Sequence, residues 1–209
     1  GLRDILADGT ARRLLLVALL NATPVAVTST LFLFFVESRL EAAGWEGPLL
    51  LLFFLAAAAS APLWGLAARR RGAKPVLLAG MALAILSFAF ALVLGPGDVL
   101  PFAAICVASG AALGADMTLL PAIFAARMAR VAPGAEQAFG LWSFVSKVTL
   151  ALAAVTLLPV LEAAGFRAGT DNPVAALLTL SVLYALLPCL LKLLALALLA
   201  RTPVEEGLT

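Results

Sequence analysis

Residues 138–161 read AFGLWSFVSKVTLALAAVTLLPVL, a run whose single charge is Lys147. A bilayer core about 30 Å thick is crossed by roughly 20 helical residues, so this run is long enough and apolar enough to span a membrane. Because the run is apolar throughout and does not alternate, it favours a helix over a strand of a membrane barrel. The segment therefore predicts a transmembrane α-helix with an ammonium group inside it.

The composition of the whole chain agrees with a membrane location. Its 209 residues are 64% hydrophobic and 12% charged, and the mean hydropathy is +1.11. A soluble domain is about half apolar and about a quarter charged, so we expect an integral membrane protein. The net charge of +2 gives no reason to expect a nucleic-acid partner. The chain starts at Gly1 and not at Met, which favours a piece of a longer protein.

The residue types that are missing exclude several kinds of site. The chain has no histidine, so it has no His-ligated metal site, no Ser-His-Asp triad and no histidine proton relay. It also lacks the G-x-S-x-G motif and the paired membrane aspartates of an intramembrane protease, and we therefore expect no enzyme and no cofactor. The two cysteines, Cys106 and Cys189, lie in apolar runs and are expected to be reduced.

Five further apolar runs are long enough to cross a bilayer. Short segments that carry nearly all the charge connect them. The predicted fold class is all-α, a polytopic membrane protein with residues 1–209 in a single six-helix bundle. The predicted spans are about 14–35, 48–68, 75–94, 99–126, 138–161 and 174–200.

The basic residues predict the orientation of these spans. Of the 14 lysines and arginines, Lys147 and Lys192 lie within spans, and Arg39 and Arg167 lie in the loops of one side. All the others fall on the opposite side, which the positive-inside rule assigns to the cytoplasm. We therefore expect both termini to be cytoplasmic. These residues are Arg3, Arg12, Arg13, Arg69, Arg70, Arg71, Lys74, Arg127, Arg130 and Arg201.

Two charges, Asp116 and Lys147, lie deep within predicted spans, whereas Lys192 is expected to snorkel to the cytoplasmic end of the last helix. At 1.5 Å per residue, Asp116 is about 16 Å and Lys147 about 15 Å from the cytoplasmic side. Since their helices are consecutive and antiparallel, the two charges lie at the same level, and the geometry allows an Asp116–Lys147 ion pair that would lower the cost of burying both. The pair either clamps the helix register or lies on a solute or ion pathway, as intramembrane charges usually do.

Small residues surround both charges. Gly110 and Gly114 form a G-x-x-x-G spacing before Asp116, which favours close helix packing. On the fifth span, Gly140, Ser143, Lys147, Ala151 and Ala154 fall on one face by i, i+3 and i+4 spacing. We call these five residues the lysine stripe.

Other polar and aromatic residues are candidates for the same pathway. Asn21 and Thr28 share a face of the first span, beside Thr23 and Pro24. They either line a cavity or belong to a Pro-kinked helix whose hydroxyl groups bond to its own carbonyls. Trp142 either stacks on a ligand ring or is an ordinary packing residue.

The loop after the second span resembles the cytoplasmic motif G-x-x-x-D-R-x-G-K/R-K/R of the major facilitator superfamily. Gly65, Arg70, Gly72 and Lys74 fit this motif, and Arg69 stands where the motif has Asp. Further stretches resemble the glycoside–pentoside–hexuronide:cation symporter family, the melibiose permease-like branch. They are TLFLFFVESRLEA (30–42), SAPLWGLAARRRGAK (60–74) and FGLWSFVSK (139–147).

The resemblance implies the second half of a twelve-helix transporter whose sugar site lies between two six-helix bundles. It also implies that Lys147 faces the central cavity and that transport is coupled to H⁺, Na⁺ or Li⁺ in a bacterial inner membrane. The chain departs from the family pattern after Pro121, where Arg127 and Arg130 replace two acidic residues. A three-plus-three inverted repeat is expected of such a bundle, but the sequence shows only a shared polar residue and proline in spans one and four.

Two functions follow from these observations. The first is a secondary active transporter, or half of one, that moves a small solute, with sugars and glycosides first, by alternating access coupled to H⁺ or Na⁺. The second is a membrane scaffold or assembly subunit with a structural Asp–Lys pair. The expected partners are lipid, the solute and a second six-helix bundle, which is either a preceding half or another copy. The expected pathway residues are Asp116, Lys147, Asn21, Thr28, Trp142 and Ser143.

Overall fold

A computed structural model describes residues 2–134, 136–169 and 171–204. In this part of the chain, helices are the only regular secondary structure, and six of them are long and apolar enough to cross a membrane. Two spans contain a π-helical turn. The helices are α1 (Leu2–Ala7), α2 (Gly9–Phe34, followed by a π turn at Phe35–Arg39), α3 (Glu46–Arg71), α4 (Ala73–Ala91), α5 (Val99–Val131), α6 (Gln137–Ala163), α7 (Val174–Ser181), a second π turn (Val182–Leu186) and α8 (Leu187–Ala200).

The all-α, six-span prediction is confirmed, with differences at the helix ends. Most spans are longer than predicted, but α4 ends at Ala91, before the predicted end at residue 94. The loop that follows α4 turns at Gly97, whose φ of +85° favours glycine. The short helix α1 was not predicted, since six residues carry too little periodicity. Its Ile5 is fully buried against the bundle.

The spans pack in a pattern that relates the first three to the last three. The first span, α2, packs against α6 and α8, and the fourth span, α5, packs against α3 and α4. If spans one, two and three exchange places with spans four, five and six, the contacts of α2 become the contacts of α5. The contact of α4 with α8, which joins spans three and six, stays the same. This is the arrangement of an inverted repeat. It was barely visible in the sequence because packing geometry is kept by many different apolar residues.

Glycines bring α5 close to α3. A Cβ atom added to Gly110 would lie 2.2 Å from the carbonyl oxygen of Phe53, and one added to Gly114 would lie 2.3 Å from the hydroxyl oxygen of Ser60. The indole N–H of Trp64 donates to the carbonyl oxygen of Ala111 at 2.8 Å. The G-x-x-x-G spacing therefore serves close helix packing.

Several contacts tie the helices together at the end of the bundle where Arg13, Arg127 and Arg201 lie. We call this the basic end. Arg13 donates to the carbonyl oxygen of Arg201 at 3.5 Å, joining the start of the first span to the end of the last. The fold thus brings together the basic residues that the sequence assigned to one side.

Candidate functional site

A cleft opens into the bundle between α2 and α3 and encloses about 790 Å³, its open mouth included. Its walls are mainly apolar and aromatic, so we call it the aromatic cleft. Five of the six spans contribute to it; α6 does not. The two π turns meet beside it, where Phe35 stacks on Tyr184 with ring centroids 4.2 Å apart. Its aromatic residues are Phe32, Phe53, Phe54, Phe88, Phe102 and Tyr184.

The polar end of the aromatic cleft is a buried ion pair. The ammonium of Lys192 on α8 donates to Oδ2 of Asp116 on α5. Both side chains are at least nine-tenths buried, with exposed fractions of 5% and 8%. The second carboxylate oxygen, Oδ1 of Asp116, is buried and has no hydrogen-bond partner among the described residues. The pair therefore retains hydrogen-bonding capacity that the surrounding protein does not use.

The expected Asp116–Lys147 pair is wrong. Asp116 faces the inside of the bundle because α5 packs against α3 and α4, whereas α6 packs chiefly against α2. Lys147 is exposed on α6. Asp116 and Lys147 lie at equal depth on consecutive helices, but they do not meet because α5 and α6 pack against different neighbours.

The expected snorkelling of Lys192 is also wrong. Its side chain is buried and reaches the carboxylate of Asp116 in mid-bundle. Its position along α8, taken alone, places the ammonium of Lys192 close enough to the membrane surface to extend to that surface. The sequence held one signal for the true pair, since Asp116 and Lys192 both lie on spans that run in the same direction and end at the basic end.

The polar residues of the first span have two different environments. Thr28 lines the aromatic cleft, and its hydroxyl donates to the carbonyl oxygen of Pro24 at 3.0 Å. The hydroxyl of Thr23 donates to the carbonyl oxygen of Leu19 at 2.7 Å. Asn21 is buried, and its Oδ1 has no partner among the described residues. The hydroxyls thus bond to their own helix, and Thr28 also forms part of a cavity wall.

The lysine stripe lies on the surface of the bundle. Gly140, Ser143, Lys147 and Ala151 are exposed, and Ala154 is half-buried. Trp142 is half-buried about 140° around α6 from Lys147, and it contacts Phe124, with centroids 4.9 Å apart. The bundle therefore presents a mid-span ammonium among small side chains on a face that no described residue covers.

The loop motif has a structural explanation at two of its positions. Gly72 joins α3 to α4 with φ 88° and ψ 149°, a conformation that glycine adopts without strain. Lys74 donates to the carbonyl oxygens of Ala200 at 3.0 Å and Thr202 at 2.8 Å, capping the end of α8. Arg70 is exposed, and a Cβ at Gly65 would meet open space.

Arg127, one of the arginines that replace family acids, has an acidic partner from elsewhere in the chain. Its guanidinium donates to both carboxylate oxygens of Asp8, at 3.0 Å and 2.6 Å. Asp8 also caps α2 by accepting from the backbone N–H of Ala11 at 2.7 Å. The hydrogen bond from Arg127 holds the pKa of Asp8 below its usual range. The charge reversal is therefore compensated within this bundle.

The family model described as MFS/sugar transport protein matches residues 1–206 of the chain. The chain belongs to the MFS/sugar transport protein family. A comparison with functionally curated proteins found no match.

Membership of the MFS/sugar transport protein family confirms the resemblance to the major facilitator superfamily. The chain is a multi-pass membrane protein with six spans, the number in half of such a fold, and its family is one of membrane transporters. In this member of the family, an exposed mid-span lysine occurs together with an aromatic cleft that ends in a buried ion pair.

Proposed function

We propose that the chain is one half of a secondary active transporter that moves a small organic solute by alternating access, coupled to H⁺ or Na⁺. The observation that carries this proposal is the lysine stripe, with Lys147 exposed in mid-span. A lysine at the centre of a bilayer costs about 2.5–3.5 kcal/mol, so such residues face water or a polar partner and not lipid. A solute pathway along the stripe provides that environment.

The proposed pathway requires a second six-helix bundle that faces the stripe. Small residues on the stripe leave room for a solute or for close approach of the other bundle. The exposed α6 residues Phe144 and Val155, on the neighbouring surface, are large and apolar, as expected of a side chain facing lipid. The family architecture makes a preceding half of the same protein the first candidate for this bundle, and a second copy of the chain the other.

Four of the six candidate residues have a role in this proposal. Lys147 hydrogen-bonds the solute or exchanges ion-pair partners when the coupling cation binds, and Ser143 lines the same pathway, whereas Trp142 packs against Phe124. Asp116 and Thr28 line the aromatic cleft within the moving bundle. The basic end is cytoplasmic under the positive-inside rule, in the inner membrane of a bacterium, and glycosides are the first solutes to test.

The test is gradient-driven uptake into proteoliposomes that contain the full natural protein. A panel of radiolabelled glycosides is offered with an imposed Na⁺ or pH gradient. Lys147→Ala is expected to abolish the gradient-driven uptake, and Lys147→Arg to retain part of it. Leu152→Ala is the matched control, because Leu152 is exposed about 140° further around α6. Normal uptake by Lys147→Ala would contradict the proposed pathway.

A further inference from the structure

We propose that the aromatic cleft binds a neutral amphiphile, an apolar chain or ring system that ends in one hydroxyl group, and that this hydroxyl bonds to Asp116 and Lys192. The site lies away from the lysine stripe, since α6 contributes no residue to the cleft. The binding of the amphiphile stands independently of transport. Its status as a transported solute rests on the proposed function.

The walls of the aromatic cleft favour an apolar ligand. They carry six aromatic side chains together with aliphatic ones such as Leu50 and Ile85. Two of the four wall hydroxyls are already engaged, since Thr28 donates to Pro24 and Ser109 donates to the carbonyl oxygen of Ile105 at 2.6 Å. That leaves those of Ser29, at the exposed mouth, and Tyr184 for a ligand. A sugar placed here would bury several hydroxyl groups without partners, which is unfavourable. The cleft therefore fits an apolar body better than a free sugar.

The ion pair at the end of the cleft offers one acceptor and additional donors. Oδ1 of Asp116 is buried without a partner among the described residues. The ammonium of Lys192 has three N–H groups, and in the described structure its one side-chain acceptor is Asp116. A hydroxyl group donates one hydrogen bond and accepts others, so a single hydroxyl can donate to Asp116 and accept from Lys192.

Charge decides between a neutral and an ionised head group. Asp116 and Lys192 compensate each other, so the buried end of the cleft has no net charge. A carboxylate or an ammonium on the ligand would add an uncompensated charge to this end, which is costly in an apolar surrounding. A hydroxyl group adds no charge to the buried end of the cleft and therefore complements the ion pair better than an ionised group.

The position of the mouth fixes the direction of entry. Ser29, Leu50 and Phe54 are exposed where the cleft opens between α2 and α3. On α5 and α8, Asp116 and Lys192 are the last cleft residues before the basic end, whereas Leu50 and Phe54 lie near the opposite end. The ligand thus enters hydroxyl first. A bilayer phospholipid would instead bring the methyl end of an acyl chain to the ion pair.

The test uses the full natural protein in proteoliposomes and two photoreactive probes. One is a diazirine analogue of 1-decanol, and the other is the matched diazirine analogue of decane, which lacks the hydroxyl. Ser29→Trp narrows the mouth at an exposed position and should fold. Leu16→Trp is its control, because Leu16 is exposed on α2 and does not line the cleft. The double variant Asp116→Leu/Lys192→Met removes both charges together, which avoids an unpaired buried charge.

We expect the alcohol probe to label cleft peptides saturably and to bind about tenfold more tightly than the decane probe, since one hydrogen-bonded group is worth about that factor. Ser29→Trp should weaken the alcohol about tenfold or more, and Leu16→Trp should leave it unchanged. The double variant should bind both probes equally. Excess free sugar should not displace the alcohol.

Four results would overturn the proposal: no saturable labelling, equal binding of the two probes to the natural protein, displacement of the alcohol by free sugar, or labelling that Ser29→Trp leaves unchanged. Loss of labelling as the phospholipid content rises, with no preference between the probes, would assign the cleft to bilayer lipid. Glycoside uptake in the same proteoliposomes separates the two proposals. Glycoside uptake without binding of the alcohol probe would contradict the cleft site alone. Binding of the alcohol probe without glycoside uptake would contradict the transport proposal alone.

Discussion

At the scale of single residues, the Asp116–Lys192 pair is the most demanding feature of the bundle. Burying two charges costs several kcal/mol per ion, which their mutual attraction offsets when the geometry is good. Removal of one partner leaves the other charge buried and uncompensated. Replacement of both charged residues by apolar residues of similar volume often changes the free energy of unfolding little.

These energetics predict a specific pattern among variants. Asp116→Leu or Lys192→Met alone should lower the free energy of unfolding by about 3–5 kcal/mol, and the double variant should recover most of that loss. Thermal unfolding in detergent measures the pattern, with reaction of the two buried cysteines, Cys106 and Cys189, as the readout. A double variant as unstable as the sum of the singles would show that the two charges do not act as a pair.

The second residue-scale prediction concerns Asp8 and Arg127, whose side chains are 19% and 23% exposed. Asp8→Asn keeps a cap for α2 while removing the charge, and Arg127→Gln removes the other partner. The double-mutant cycle of these changes should give a coupling of at most about 1 kcal/mol at neutral pH, because partly exposed pairs contribute little.

The pH dependence of that coupling follows from the lowered pKa of Asp8, which Arg127 causes by hydrogen bonding to the carboxylate. A carboxyl group with a lowered folded-state pKa stabilises fully above its ordinary value of 3.8 and loses that contribution as the pH falls through the folded value. The coupling should therefore persist at pH 5 and disappear in strong acid. A coupling that fades between pH 7 and pH 5 would show that another group titrates there.

At the scale of helices, the sequence predicted the existence of the six spans well, because apolar runs of this length have few alternatives in a bilayer. It did not predict their neighbours. Asp116 was recognised as a buried charge, but its partner depended on α8 and not α6 lying beside α5. The π turns and the helix α1 depend on local packing, and no periodic pattern marks them.

The contact of α5 with α3 provides the element-scale prediction. Gly114→Ala places a Cβ 2.7 Å from the carbonyl oxygen of Ala57, so the two helices must separate. We expect a loss of about 1–3 kcal/mol in unfolding free energy, the usual range for overpacking. Gly65→Ala is the control, since nothing lies within 4 Å of its added Cβ and alanine favours the helix by about 1 kcal/mol. Equal stability of the two variants would argue against a glycine-mediated contact.

At the scale of the whole molecule, the described bundle has two distinct faces of interest. One is the aromatic cleft between α2 and α3, and the other is the lysine stripe on α6. The sequence predicted the stripe, because i, i+3 and i+4 spacing fixes the face of a helix. It could not predict the cleft, whose residues come from five spans and share no periodicity along the chain.

The transport proposal depends most directly on whether the lysine stripe faces water. The measurement is the reaction rate of a cysteine placed at Ser143 with a membrane-impermeant, charged thiol reagent, in the full natural protein within membranes. Leu152→Cys is the control on the surface expected to face lipid, and every native cysteine of that protein, Cys106 and Cys189 included, is replaced by alanine. A solute pathway predicts that Ser143→Cys reacts at least about tenfold faster than Leu152→Cys. Equal and negligible rates at both positions would contradict a pathway along the stripe.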